Sequence, residues 1–261
     1  MDSEAEPPGT ESINVTARKS RNVVGETVPE PKVSIIVPVW QEEASIEATL
    51  ANLQPWRKAG HEVIVVDGGS EDRTRERARS LCDRLLTSPP GRAIQMNTGA
   101  ADARGDLLLF LHADTRLPTG ALDELGGFYH SRRHWGRFNV RLSGQRPLYR
   151  TIAWFMNRRS RLTGIATGDQ AIFVRRSVFE ALRGFAPLPL MEDVEFTRRL
   201  KLVSPPYCVR QPVITDSRRW DAGGPWRTIF LMWRLRWRYW RGESPETLAR
   251  EYRSNVRNPG F

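Results

Sequence analysis

Leu107-Leu108-Leu109-Phe110-Leu111-His112-Ala113-Asp114-Thr115 sets an unbroken apolar run directly against a His and an Asp, two side chains able to bind metals. Five consecutive large apolar residues leave no polar face, so the run predicts a strand buried on both sides of a sheet. Open α/β sheets bind ligands beyond the carboxyl ends of their strands, which is where His112 and Asp114 fall. Val63-Ile64-Val65-Val66 running into Asp67, and Val33-Ser34-Ile35-Ile36-Val37 running into Pro38, repeat the pattern. Three buried strands delivering polar residues to one edge describe a site as well as a core.

Outward from these runs, the spacing predicts helices over residues 43–53, 71–80 and 92–103, with a short strand at 84–87. Ser70 or Asp72 is the expected cap of the second helix. Strands and helices alternating in this way imply right-handed βαβ units and a mostly parallel central sheet flanked by helices, an α/β fold. The second half is less regular: helices are expected near 119–130, 148–161, 177–182 and 193–201, and strands near 135–142, 170–174 and 207–211. A C-terminal helical extension is expected from Trp226 to about Tyr252, broken near 242–245. The chain thus divides into a disordered leader (1–31), a main domain (32–225) and a basic aromatic tail (226–261).

The leader carries six acids against three bases and no apolar stretch, so neither a secretory signal nor a packed core is expected there. Two cysteines, Cys82 and Cys208, lack ligand spacing and fit a reducing compartment. No run approaches a membrane span. The expected location is therefore cytoplasmic. Of 40 basic residues 36 are Arg, and the net charge of +10 concentrates after Arg218, where ten Arg face four acids. An anionic partner there is the physical expectation.

Four constellations could carry chemistry. Asp67-Gly68-Gly69-Ser70 closes a strand and opens a helix, so backbone amides can approach an anion or ribose; an ordinary turn would look the same. Asp114, with His112, could hold a divalent ion against a diphosphate, or merely begin a turn. Glu192 and Asp193 open a helix, where acids complement the dipole, and one of them could serve as a general base. Arg218-Arg219-Trp220 could clamp a diphosphate, with the indole as a stacking face, and Arg92, Gln95 and Asn97 could face phosphate from a helix start.

In this order and spacing, residues 33–42, 65–74, 91–114 and 191–201 resemble family 2 glycosyltransferases of GT-A fold, over about 190 positions. The resemblance implies that Pro38, Val39 and Glu42, with Asp67 and Gly68, border the donor nucleotide. It puts His112, Ala113 and Asp114 on the family's Asp-x-Asp metal motif and matches Asp193 to the catalytic base of inverting members. It reads Arg218-Arg219-Trp220 as a reduced Arg-Trp element. Two departures stand out: Gly68 replaces a second acid, so uridine is not implied, and His112 replaces the first acid of the metal motif, leaving Asp114 as the surer ligand. Imidazole favours Mn²⁺ over Mg²⁺.

The implied reaction is inverting transfer of a sugar from a nucleoside diphosphate to an acceptor hydroxyl. A sugar nucleotidyltransferase would want a Gly-rich signature after the first strand, which Pro38-Val39-Trp40-Gln41-Glu42 does not supply. A non-catalytic nucleotide-, nucleic-acid- or membrane-binding protein would use the tail's Arg and Trp but not Asp114 and Asp193. In that tail Trp226, Ile229, Phe230, Trp233, Trp237 and Trp240 form a stripe flanked by Arg. Such a helix can complete the core or touch a membrane's inner face, which would suit a lipid-linked acceptor.

Overall fold

The computed structural model describes residues 30–218, 221 and 224–255. Nearly all of the expected leader lies outside the described residues, as do Arg219 and Trp220. The described residues from Pro31 onward belong to one compact unit.

In chain order the elements are β1 (Val33–Val39), α1 (Ile46–Asn52), α2 (Gln54–Lys58), β2 (Glu62–Asp67), α3 (Thr74–Ala78), β3 (Arg84–Thr87), α4 (Arg92–Asp102) and β4 (Leu107–Phe110). There follow β5 (Thr115–Arg116), α5 (Ala121–Tyr129), β6 (Trp135–Leu142), α6 (Pro147–Thr163), a 3-10 turn (Gly168–Gln170), β7 (Phe173–Arg175), α7 (Arg176–Ala181), α8 (Glu192–Val203) and β8 (Tyr207–Thr215). Two tail helices close the described chain, α9 (Pro225–Trp240) and α10 (Pro245–Asn255).

The sheet runs β3-β2-β1-β4-β7-β6-β8-β5. Its first four strands are parallel, as are β6 and β8; only β7 and β5 run against their neighbours. Alternate β1 residues serve opposite faces. Ile35 and Val37 join Ile46 and Leu50 of α1 and Phe128 of α5, while Ile36 joins Ala93 and Met96 of α4 and Phe196 of α8. At Gly99 a Cβ would stand 2.6 Å from Ile36 Cγ2, so glycine lets α4 lie directly on β1 and β2.

Four departures from the sequence reading have local causes. The first expected helix starts later, at Ile46, and splits where Pro55 begins a second one. The second shrinks to Thr74–Ala78: the Asp72 carboxylate accepts the Thr74 amide at 3.0 Å, while the Ser70 hydroxyl instead accepts the Gln41 amide. The strand expected at 170–174 begins only at Phe173, because residues 168–170 coil into the 3-10 turn and Ala171 takes a φ of 46°. β8 outruns its expected end because β5, too short to show a period, pairs Thr115 with Thr215.

The tail splits its two faces. Leu231 and Leu235 of α9 bury with Leu248, Ala249 and Tyr252 of α10 and with Leu190 and Met191 of the main domain. Trp226, Phe230, Trp233, Trp237 and Trp240 stay 58–80% exposed. No described helix is long and apolar enough to cross a membrane.

Candidate active site

The carboxyl ends of β1, β2 and β4 form one rim. Asp67, fully buried at the end of β2, spends its carboxylate on its own turn, accepting the Gly69 amide at 3.1 Å and the Ser70 amide at 3.1 and 3.2 Å. Gly69 has a φ of 95°, which glycine adopts without strain. Gln95 packs against Gly68 and donates to the Val39 and Val66 carbonyls at 2.8 and 2.9 Å, tying β1 to β2. Asn97 exchanges two hydrogen bonds with the Phe185 backbone. Pro38 and Val39 are buried within β1, and the buried Ala113 offers its carbonyl to Thr49. The rim's uncharged polar side chains thus serve its backbone.

Its charged groups stand apart. The Asp114 carboxylate receives Thr115 and Thr215 hydroxyls at 3.2 and 3.4 Å, and its carbonyl receives the Asp216 amide at 3.1 Å, which ties β8 to the site. Glu42 is hydrogen-bonded by Ser45 and reached by Arg218 at 3.4 Å; Arg218 also pairs with Asp216 at 3.0 Å. Burial lifts the Glu42 carboxyl above its ordinary value, against the Ser45 hydrogen bond, and the Asp114 charge adds to the rise. Two half-buried carboxylates in electrostatic reach suit a hard divalent cation, which takes one or two protein carboxylates and fills its shell with phosphate and water. Among the described residues no group of three or more His, Cys, Asp or Glu could hold a metal.

The opposite rim is built at the start of α8. Met191 caps that helix with a φ of 69°, uncommon for a residue with a side chain, and is held there by the apolar cluster it shares with α9 and α10. Glu192 and Asp193 follow and point to different partners. Glu192, 3% exposed, pairs with Arg92 at 3.1 Å, so the first residues of α4 and α8 clasp across the cleft. Burial works against charge on Arg92, but Glu192 and Asp193 more than offset it and hold the guanidinium charged above its ordinary value. Burial in turn lifts the Glu192 carboxyl, with Arg92 opposing.

Asp193 accepts the Gly168 amide at 2.8 Å on one oxygen and the Val194 amide at 2.7 Å on the other. Each carboxylate oxygen has two acceptor sites, so both keep capacity for an incoming donor. A Cβ on Gly168 would lie 2.3 Å from His112 Nε2, so the imidazole is turned onto the 3-10 turn that orients Asp193. His112, Gly168, Glu192 and Asp193 line one small cavity with Met96, Phe110, Ile172 and Phe185.

The structure therefore brings His112, Glu192, Asp193 and Arg92 together, and separately Glu42, Asp114 and Arg218. Gln95 and Asn97 face backbone carbonyls and amides. Sequence reasoning missed Gly168 and two cations. Arg159 of α6 and Arg236 of α9 each keep a buried guanidinium nitrogen with no hydrogen-bond partner among the described residues. The signal for Gly168 was the Thr167-Gly168-Asp169 sequence after a helix; for the arginines there was none, since they fall among many exposed ones.

Residues 34–183 match the family described as glycosyl transferase family 2. A Bacillus subtilis (strain 168) protein named "Probable glycosyltransferase YdaM" is 30% identical over 196 residues, 65% of this chain and 46% of that protein. The undecaprenyl-phosphate 4-deoxy-4-formamido-L-arabinose transferase of Pseudomonas paraeruginosa (strain DSM 24068 / PA7) is 28% identical over 181 residues, 59% of this chain and 50% of that protein. The chain thus spans about half the length of these curated relatives. In fold it is similar to the mannosyltransferase PcManGT of Pyrobaculum calidifontis, solved with GDP-Man and Mn²⁺: TM-score 0.60, 20% identity, 84% of this chain and 64% of that one. The strand order, the rims and the match over residues 34–183 agree, and the chain belongs to glycosyl transferase family 2, on a GT-A fold.

Proposed function

We propose that this chain transfers a sugar from a nucleoside-diphosphate donor to an acceptor hydroxyl with inversion, Asp193 serving as general base. The observation that carries this is the posture of Asp193. It sits at a helix start, fixed by two backbone amides, half-buried in the cleft between the clasped ends of α4 and α8. A base must be held within hydrogen-bond reach of the proton it removes, and both oxygens keep room for that donor. As the acceptor oxygen attacks the anomeric carbon, Asp193 takes its proton and the nucleoside diphosphate leaves from the opposite face. The likeness to a mannosyltransferase solved with GDP-Man and Mn²⁺ supports the donor class.

On the donor rim Pro38, Val39, Asp67 and Gly68 border the nucleotide through backbone, and Arg218, with Arg219 and Trp220, meets the diphosphate. A divalent cation, Mn²⁺ or Mg²⁺, held by Asp114 with Glu42 beside it would neutralise charge on the leaving diphosphate. His112, turned onto Gly168, supports the base side. The exposed aromatic face of α9, with Arg227, Arg234 and Arg241 beside it, supports peripheral contact with an anionic membrane surface on the cytoplasmic side.

The test is thermal-shift screening against UDP, GDP, CDP, ADP and TDP, each with and without Mn²⁺. A metal-dependent shift for one nucleotide, abolished in Asp114→Ala, is the expected result. A folded protein that shifts with none of them overturns the donor site.

A further inference from the structure

The segment that closes β4 sends its two polar side chains to different partners. Asp114 meets the hydroxyls of Thr115 and Thr215, whereas His112, two positions earlier, meets Gly168 of the 3-10 turn. The backbone under His112 is fixed. The Phe110 amide donates to the Ile172 carbonyl at 2.9 Å, the Leu111 amide to Ile36 at 3.0 Å, and the His112 carbonyl accepts the Thr115 amide at 3.0 Å. The imidazole therefore stands on an edge of the sheet that cannot shift by itself.

Gly168 is where that edge meets α8. Its amide donates to Asp193 at 2.8 Å, while His112 Nε2 occupies the space a Cβ would take. The φ of Gly168 lies outside the left-handed region, so the ring, not the backbone conformation, demands glycine there. The turn is held from within by the fully buried Gln170, whose side-chain oxygen accepts the Thr167 amide at 3.3 Å. From α8, the Thr197 hydroxyl donates to the Ala166 carbonyl at 3.3 Å. The imidazole limits how far the turn can move toward β4, and with it the aim of the Gly168 amide at Asp193.

We propose that His112 is a positioning residue for the base: it holds Gly168 so that the Gly168 amide fixes Asp193, and it takes no part in holding the divalent ion. This deepens the transferase reading above and rests on it. The donor set argues the same way. A hard divalent ion prefers oxygen ligands, which Asp114 and Glu42 supply, and an imidazole packed on a glycine leaves no room for an ion at the nitrogen that faces it. A misplacement of about 1 Å costs about 10²-fold in rate, so a ring that aims the base needs no contact with substrate to matter.

The test compares the full chain as wild type, His112→Ala, His112→Asp, Gly168→Ala and the Gly168→Ala/His112→Ala double variant, with Asp114→Ala as the metal control. Hydrogen exchange over residues 165–171, the Mn²⁺-dependent nucleotide thermal shift, and slow hydrolysis of UDP-glucose, GDP-mannose and ADP-glucose are read on each. In hydrolysis water is the acceptor: its oxygen bonds to the anomeric carbon, the bond to the diphosphate breaks, and Asp193 takes the proton. His112→Ala is expected to speed exchange at Gly168 at least about tenfold. It is expected to lower kcat about 10–10²-fold with donor KM within about threefold, and to keep the Mn²⁺ response that Asp114→Ala loses. His112→Asp supplies a better ligand for a hard ion, so a metal role would keep or raise kcat; the expected result is a loss like that of His112→Ala. Gly168→Ala is expected to lose activity because its Cβ strikes the ring, and to cost less than about threefold more once His112→Ala has removed that ring. Unchanged exchange, a weakened Mn²⁺ response in His112→Ala, hydrolysis kept in His112→Asp, or additive losses in the double variant each overturn the proposal. A wild type that shifts with no nucleotide and hydrolyses no donor sinks the transferase reading instead, and exchange at Gly168 then decides the His112 contact by itself.

Discussion

The two rims of the cleft treat their polar side chains in opposite ways. On the rim made by β1, β2 and β4, Asp67 is consumed by the amides of its own turn, Gln95 by the carbonyls of β1 and β2, and Asn97 by the Phe185 backbone. At the start of α8 Asp193 keeps acceptor capacity, and Arg159 of α6 and Arg236 of α9 each keep a buried nitrogen without a hydrogen-bond partner among the described residues. The first rim offers backbone and a few charges; at the second, Asp193 is held by two amides with acceptor sites to spare. A stable scaffold satisfies most of its buried polar groups, so spare acceptor capacity at Asp193 stands out against a rim whose polar side chains are spent on backbone.

The largest effect expected from breaking this contrast is at the base. Asp193→Asn keeps one of the two amide contacts on its carboxamide oxygen, sets its NH2 against the other amide, and removes the proton acceptor. Sugar transfer is expected to fall about 10²–10⁴-fold, the usual contribution of a general base, while nucleotide binding persists. The measurement is turnover beside the nucleotide thermal shift. Transfer within threefold of wild type would show that the base lies elsewhere.

A smaller effect is expected behind the second rim. Leu235 is fully buried in the apolar cluster that α10 shares with Leu190 and with Met191, the left-handed residue that starts α8. Leu235→Ala removes that packing and is expected to cost about 2–5 kcal/mol, read by urea unfolding. Transfer is expected to suffer more than nucleotide binding, because the cavity opens under Met191 rather than under the sheet. Equal losses in both would mean that the tail supports the two rims alike.

Much of the first rim was legible in the sequence because it is made of regular elements. The runs ending at Val39, Asp67 and Leu111 are too apolar to be anything but buried strands, and glycines at Gly68 and Gly69 mark the turn between them. The second rim depends on features with no period. Gly168 matters because of a neighbour, His112, that is 56 positions away and is brought close only by folding. The roles of Glu192 and Asp193 look interchangeable in sequence, and only the structure turns Glu192 onto Arg92 and Asp193 onto Gly168. Arg236 is one of seven Arg from Arg218 to Arg241, and among the described ones its buried Nε without a hydrogen-bond partner sets it apart. The tail was legible as an amphipathic helix, but not which face would pack: the larger, more aromatic stripe is the one left outside.

That inversion can be tested where the effect on stability should be smallest. In α9 the side chains buried against the domain are Leu231 and Leu235, whereas Trp233 is 62% exposed. If the aromatic stripe served the core, Trp233→Ser would cost several kcal/mol, as loss of a buried aromatic does. An exposed position away from caps and networks moves stability by only about 0.5 kcal/mol in either direction. The expected outcome is therefore an unfolding curve close to wild type. Partition onto anionic vesicles, which draws on the aromatic face and its arginines, should drop several-fold in the same protein. A variant that unfolds early would return the stripe to the core; one that keeps both stability and vesicle binding would leave the exposed face without a membrane role.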